Sequence, residues 1–446
     1  MNAPICDFVR RYAEGDPLRF HMPGHKGSCV LGPESLDITE ISGADVLYRS
    51  TGIIRESEEN AASLFGSART VYSTEGSSLC IRAMLYLAQL HTRLTGRAPR
   101  IAAGRNAHRV FLEAAALLDL PITWLPLGED LFSFKVDLAD LEGLFSTPEK
   151  APSAVYVTSP DYLGNSLELA PIAALCHRYG ALLLVDNAHG AYQKFLPPSR
   201  HPLDQGADLC CDSAHKTLPV LTGGAYLHFS EGCPPALISM AERAMALFAS
   251  TSPSYLILQS LDTVNPWLVC DGSQMIRDAA ARVSRLKETL LRDGWQLRGE
   301  EPLKLTLLPK SRGYSGEALS SLLAQERIIC EFADPDHLVL MFSADTTARE
   351  LDALHNALRA IKPREPIREL PPPLHEAEPV LSPRETLLRP FVSVPVSESL
   401  GRILASPSVS CPPAVPILVC GERIDEDAVR LFRYYGIERC DVVADA

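Results

Sequence analysis

The chain has 446 residues, of which 46% are hydrophobic and 22% charged, and a formal net charge of −13. That length exceeds one ordinary core and predicts two or three domains, while the composition excludes a disordered chain. The negative balance argues against nucleic acid or an anionic membrane as the main partner, no apolar run is long enough to span a bilayer, and the N-terminus lacks the apolar core of a secretory signal.

The first fifty or so residues are rich in Gly, Pro and His and show little periodicity. "RESEENAASLFG" (Arg55–Gly66) reads as a helix stopping at glycine, and "ARTVYST" as a short β-branched strand. "SSLCIRAMLYLAQLHTRLTG" (Ser77–Gly96) has apolar residues at helical spacing and a terminal glycine, which predicts a helix. "SAVYVTSP" reads as a strand, and "APIAALCHRYG" as a helix with Pro171 in its first turn and Gly180 at its stop. "ALLLVDNAHG" (Ala181–Gly190) is a continuous apolar run ending in polar residues, the pattern of a strand buried on both faces. "ADLCCDSAHKT" and "GGAYLHFS" read as two further strands around a turn. Strand and helix alternating in this order predict an α/β domain with a mostly parallel, doubly covered sheet.

From about Tyr255 the texture changes. The helix "SQMIRDAAARVSRLKETLLRDG" precedes the short strands "LKLTLLP" and "HLVLMFS", and the helix "TTARELDALHNALRAI" follows. This reads as a smaller α+β domain. The Pro-rich "KPREPIRELPPPLHEAEPVLSPRE" reads as a linker, and "AVPILVCGERID" is the clearest strand of a small appended C-terminal domain. The expected division is an N-terminal segment 1–60, a large domain 61–255, a small domain 256–363, and linker plus C-terminal domain 364–446. No internal repeat is apparent. The 12 cysteines are scattered, without a C-x-x-C pair, which points to reduced thiols in a cytoplasm and to no metal site.

Buried parallel strands present their ligand sites beyond their carboxyl ends. "LLLVDNAHG" delivers Asp186 and His189 there, "VYVTSPDYLGN" delivers Ser159, Asp161 and Tyr162, and "DSAHK" delivers Ser213, His215 and Lys216. "STEGSS" sets Gly76, Ser77 and Ser78 at a helix start, where free N–H groups and the helix dipole favour an anion. Singly, each has an ordinary structural use: a turn-forming Asp, a Ser cap, an exposed Lys, a packed His. Together they meet the needs of pyridoxal phosphate, which requires a lysine, an anion hole, a carboxylate for its pyridine nitrogen and a flat group against its ring. Lys216 supplies the first. Gly76, Ser77, Ser78, Ser213 and His215 supply the second, Asp186 the third and His108 the fourth. Thr-Leu-Pro-Val-Leu-Thr after Lys216 is an apolar setting that favours a nucleophilic amine.

At this point the sequence resembles the bacterial ornithine/lysine/arginine decarboxylases, which are fold-type-I pyridoxal-phosphate enzymes. The matching stretches are "FHMPGHKG", "GIIRESEENAASLFG", "STEGSS", "GRNAHR", "VYVTSPDYLGN", "LLVDNAHGAY" and "DSAHKTLPVLTGGAYLH", with "GRILAS" and "CPPAVPILVCGERID" in the C-terminal part. The likeness is to the compact subgroup, without a separate N-terminal regulatory-type domain. It implies that Lys216 carries the cofactor, Asp186 keeps the pyridine nitrogen protonated, His189 lies near the cofactor and His108 stacks on its ring. It also implies that Ser77, Ser78, Ser213 and His215 hold the phosphate, that the enzyme is a homodimer or larger with its sites at the interface, and that it supplies amines for polyamines. The expected reaction is loss of CO2 from arginine, lysine or ornithine, with Lys216 or His215 returning a proton. Glu75, Asp161 and Glu422 are candidates to meet the basic side chain. Two positions depart from the pattern: Gly223 where many members carry Gln, and Ser406 where an acidic residue is common. An aminotransferase or lyase on another amino acid is the alternative, with Arg402 and Arg423 as possible carboxylate binders, and a non-catalytic protein of the same fold is a third.

Overall fold

The computed structural model describes residues 1–128, 130, 132–374, 376–411 and 415–444. The chain forms two compact units. The first comprises 1–99, 152–156 and 169–274, and the second 100–151, 157–168 and 275–446.

A helix, α1 (Pro4–Glu14), opens the first unit where the sequence shows little periodicity. Pro4 stands in its first turn, and Ile5, Cys6 and Val9 form a narrow buried stripe. Its first turn is capped from far away, with Cys6 N donating to Asp262 Oδ2 at 2.9 Å. A local window cannot reveal such a cap. α2 (Ile53–Phe65) ends at Gly66 in the left-handed conformation. The wholly buried β1 (Arg69–Ser73) follows, and then α3 (Gly76–Thr95), which ends at Gly96, again left-handed.

Further strands come in chain order as β2 (Ile101–Ala103), α4 (Arg109–Leu118) intervening, β3 (Ile122–Trp124), β4 (Ala154–Thr158), β5 (Leu182–Asp186), β6 (Leu209–Asp212) and β7 (Ala225–Phe229). Within the first unit the order is β1-β7-β6-β5-β4. β5 and β6 are parallel, with Asp186 opposite Cys211, and β5, β6 and β7 are buried along their length.

One local expectation changes. The strand read through "ADLCCDSAHKT" stops at Asp212, and Ala214–Thr217 form one helical turn. β7 then runs antiparallel to both β6 and β1. A parallel return needs a crossover, usually a full helix, and the connection 213–224 holds only one helical turn. The reversal has a useful result. Ser73 lies opposite Ala225, Asp212 opposite Tyr226 and Asp186 opposite Cys211, so the ends of β1, β5 and β6 reach one edge together.

In the second unit β2 and β3 pair in parallel. A four-stranded antiparallel sheet has the order 332–333, 338–341, 304–307, 297–298, accompanied by helices Gly316–Gln325 and Ala348–Ala360. The latter starts in a capping box formed by Thr347 and Glu350. Much of the Pro-rich stretch has no regular structure until the short helix Pro383–Leu387. Beyond it, Phe391–Pro395 pairs with Arg439–Val443 and Ser408–Cys411 with Val415–Val419. Leu404, Ile417, Ile424, Leu431, Phe432 and Val442 form a core there. Among the described residues no helix is long and apolar enough to cross a membrane.

Candidate functional site

The common edge of β1, β5 and β6 gathers most of the chemistry. Asp186 ends β5 and is buried. Its Oδ1 accepts from Ala188 N at 3.1 Å and from the Cys211 thiol at 3.7 Å, and its Oδ2 accepts from the Tyr156 hydroxyl at 3.2 Å. Burial, and secondly the Asp186 charge, push the Cys211 thiol pKa well up, so the sulfur keeps its proton and donates. These donors orient the carboxylate and leave lone-pair capacity for one more.

Lys216 sits in the single helical turn after β6, half-buried, with Nζ 3.0 Å from His189 Nε2. Ser213 Oγ donates to Ser77 Oγ at 2.9 Å, which joins the lysine segment to the first turn of α3. That helix has 20 residues and no side-chain cap on its N-terminus, so its orphan N–H groups and dipole favour an anion. Gly76 has φ +72°, and a Cβ there would meet nothing within 4 Å. Ser77 and Ser78 follow it, both half-buried. Gly76 N donates to Gly223 O at 2.7 Å. At Gly223 φ is +101° and a Cβ would fall 2.8 Å from Thr74 O, so the departure from Gln has a backbone reason. His215 Nδ1 donates to Gly224 O at 2.9 Å. Burial, helped by the Lys216 charge, pushes the His215 pKa down in spite of that bond. The imidazole is therefore neutral near pH 7, with Nε2 as an acceptor.

The other expected residues divide. His108 belongs to the second unit, where it is exposed and N-caps α4, its Nδ1 accepting from Val110 N at 3.3 Å. Ser159 Oγ accepts from Leu167 N at 3.0 Å, and the Tyr162 hydroxyl donates to Glu331 at 2.8 Å. Asp161 is buried and builds a turn, accepting from Leu163 N, Asn165 N and Asn165 Nδ2 at 2.7–2.9 Å. Glu422 is buried in a two-pronged ion pair with Arg105, both contacts 2.6 Å, and also accepts from Val419 N at 2.9 Å. Ser406 Oγ donates to Asp441 at 3.3 Å. Arg423 is held by Glu378 and Gly401 O, and Arg402 by Val443 O. Glu75 alone of the three candidate carboxylates is exposed, one oxygen accepting from Ser250 N at 2.8 Å.

Sequence reasoning passed over Tyr156, Cys211, Asn187, His201, Asp212 and Arg105. Their neighbours in "VDNAHG", "CDSAHK" and "GRNAHR" were noticed, but none of the six carries a signal without its spatial partner. Among the described residues His201, Cys210 and Asp212 form a buried group of metal-ligand type, their donor atoms within 4.8 Å of one another.

The donor set at the edge fits pyridoxal phosphate: an amine, an oriented carboxylate, and an uncapped helix start with an open approach at Gly76. The model of the Orn/Lys/Arg decarboxylase major domain matches residues 3–310. The chain belongs to the Orn/Lys/Arg decarboxylase family. It is 30% identical over 463 residues to the uncharacterized protein YaaO of Bacillus subtilis, covering 96% of this chain and 93% of that one. To an arginine decarboxylase of the same organism it is 27% identical over 466 residues, covering 96% and 92%. The constitutive lysine decarboxylase of E. coli has the same fold, with a TM-score of 0.77 at 17% identity, over 99% of this chain and 82% of that one. This member of the Orn/Lys/Arg decarboxylase family is thus a pyridoxal-phosphate-dependent decarboxylase with a fold-type-I α/β architecture.

Proposed function

We propose that the chain converts a basic amino acid (arginine, lysine or ornithine) to its amine and CO2, with Lys216 as the residue that carries the cofactor. The observation that supports this most is the Lys216 Nζ to His189 Nε2 contact of 3.0 Å, at the strand edge where Asp186 and the uncapped start of α3 also lie. Bound pyridoxal phosphate supplies the electron sink that takes up the electron pair left when CO2 departs. Asp186, oriented by its three donors, holds the ring nitrogen's proton. Gly76, Ser77, Ser78 and Ser213 bind the phosphate at the helix start, and a dianion beside His215 Nε2 would draw a proton onto that imidazole. Lys216 or His215 returns a proton to the substrate carbon.

Asp161 and Glu422 are engaged within the second unit, which leaves Glu75 as the carboxylate for the basic end of the substrate. Arg402 and Arg423 are likewise engaged, and this removes the support for an aminotransferase. Phe20 is 92% exposed, and Leu18, Val30 and Leu31 are each 80% exposed or more. Apolar residues gathered this densely on one segment ordinarily have cover, which supports the homodimer expected of a site completed by a second copy. A cytoplasmic, polyamine-supplying role and a linker with a small C-terminal domain at 364–446 complete the reading.

The test is a product assay on the full chain loaded with pyridoxal phosphate, with each of the three amino acids in turn and Lys216→Ala as control. An amine lighter by CO2, made by the wild type alone, is the expected result. No amine from any of the three would overturn the substrate class.

A further inference from the structure

We propose that Asp212 is a positioning residue, which acts through Asn187 to fix the two strand ends carrying Asp186 and Lys216. The inference rests on the roles given to those two residues above. Asp212 ends β6 with no exposed surface. Its Oδ1 accepts from Asn187 Nδ2 at 2.6 Å, and its Oδ2 accepts from His201 Nε2 at 2.9 Å. His228 Nε2 lies 3.3 Å from Oδ2. Asn187 is the residue after Asp186, and its N–H donates to Cys211 O at 3.0 Å. Two hydrogen bonds therefore tie the exit of β5 to the exit of β6. On the other side of Asp212 stands Ser213, whose hydroxyl bonds Ser77 at the helix start. One carboxylate thus anchors the neighbours of the ring-pairing aspartate, of the lysine and of the phosphate site.

A carboxylate removed wholly from water is costly and persists only when paired and hydrogen-bonded. Burial opposes its charge, but His201 and His228 outweigh burial and hold the Asp212 pKa well below the usual carboxylate range. It therefore stays ionised, and its bond to the Asn187 amide is charge-assisted, the short and strong kind. Packing alone would be served by an apolar side chain at this position. A directional anchor needs the anion. The His201 to Asp212 contact has hydrogen-bond length, so the imidazole Nε2 serves as a donor to the carboxylate in this arrangement.

The experiment compares wild type, Asn187→Ala, Asp212→Asn and the double variant, all as full chains. Three quantities are read: the dissociation constant for pyridoxal phosphate by absorbance titration, kcat and KM on the turned-over amino acid, and the melting temperature of the apoprotein. Asn187→Ala, which leaves the His201–Asp212 pair in place, is expected to weaken cofactor binding about tenfold and to lower kcat about tenfold or more, KM changing less than about twofold, because misplaced reacting groups cost that much. The double variant should bind cofactor no worse than Asp212→Asn, since Asp212 acts through Asn187. Wild-type cofactor affinity and kcat in Asn187→Ala would overturn the proposal, and so would a stoichiometric metal in the purified wild type. If Asp212→Asn fails to fold, Asn187→Ala still decides. A wild type that takes up no cofactor at Lys216 would overturn the functional reading itself, an outcome distinct from the other two.

Discussion

The edge around Lys216 and the buried pair Arg105–Glu422 both sit in stretches that stand out in the sequence, yet the molecule uses them in opposite ways. At the edge, Asp186 retains acceptor capacity, the helix start of α3 has no side-chain cap, and a Cβ at Gly76 would find open space. In the second unit, Glu422 meets both prongs of Arg105 at 2.6 Å and also a backbone N–H, both side chains being about 5% exposed. Arg105 lies over the Trp124 ring as well, 5.4 Å from its centroid. The lesson concerns counter-charge. A buried carboxylate whose charge is met by a guanidinium inside the chain is architecture. One oriented by neutral donors is available for chemistry.

That contrast predicts different failures. Asp186→Asn removes the charge at the available site and should lower kcat about a thousandfold, about 4 kcal/mol of transition-state stabilisation, while absorbance shows cofactor still bound. A kcat within tenfold of wild type would break the comparison on its functional side. Glu422→Gln leaves a buried guanidinium short of its counter-charge and should cost about 3–5 kcal/mol of stability in chemical denaturation. Replacing both partners, with Arg105→Met and Glu422→Leu, should restore most of that. If the single and double variants were equally unstable, the pair would be more than a mutually satisfied charge.

Asp262 is a third buried carboxylate, within the first unit, accepting from Cys6 N at 2.9 Å and the Ser57 hydroxyl at 2.6 Å. Burial, only partly offset by those bonds, pushes its pKa up to about 6. A folded-state pKa above the unfolded one means that this group's contribution is full below about pH 4 and is lost as pH rises through about 6, by roughly 3 kcal/mol. Urea midpoints across that range should carry this downward component in the wild type, and Asp262→Asn should remove it. The smallest expected effect is at Glu75. Glu75→Gln should raise KM for the basic substrate about tenfold with little change in kcat, about 1.4 kcal/mol of binding. An unchanged KM would move substrate recognition to another residue.

Much of the edge was legible because parallel-strand burial writes itself as an apolar run. "LLLVD" ends where β5 ends, and the polar residues that follow it had to lie at the sheet's edge. The glycine stops at Gly66 and Gly96 were readable for the same local reason, since both take left-handed backbone. α1 was not readable, because its stripe is only three buried residues and its cap arrives from Asp262, 256 positions away. The direction of β7 was not readable, because a strand looks alike in either direction. The connection 213–224 carries one helical turn and no crossover helix.

Residue type and spacing alone determined the α/β architecture and most helices and strands of the large domain, and they singled out Lys216, Asp186, Ser213, Ser77 and Gly76 as candidates for one chemistry. These follow from periodicity and from the few ways a buried strand can end. Tertiary structure decided which candidate carboxylates remain available, and why. Glu422 and Asp161 look as free as Glu75 in the sequence, but the fold brings Arg105 to one and a tight turn to the other. It also produced the His201–Asp212–Asn187 chain, assembled from three segments. Hydrogen-bond saturation is a property of spatial neighbours, and those neighbours are set only when the chain closes on itself.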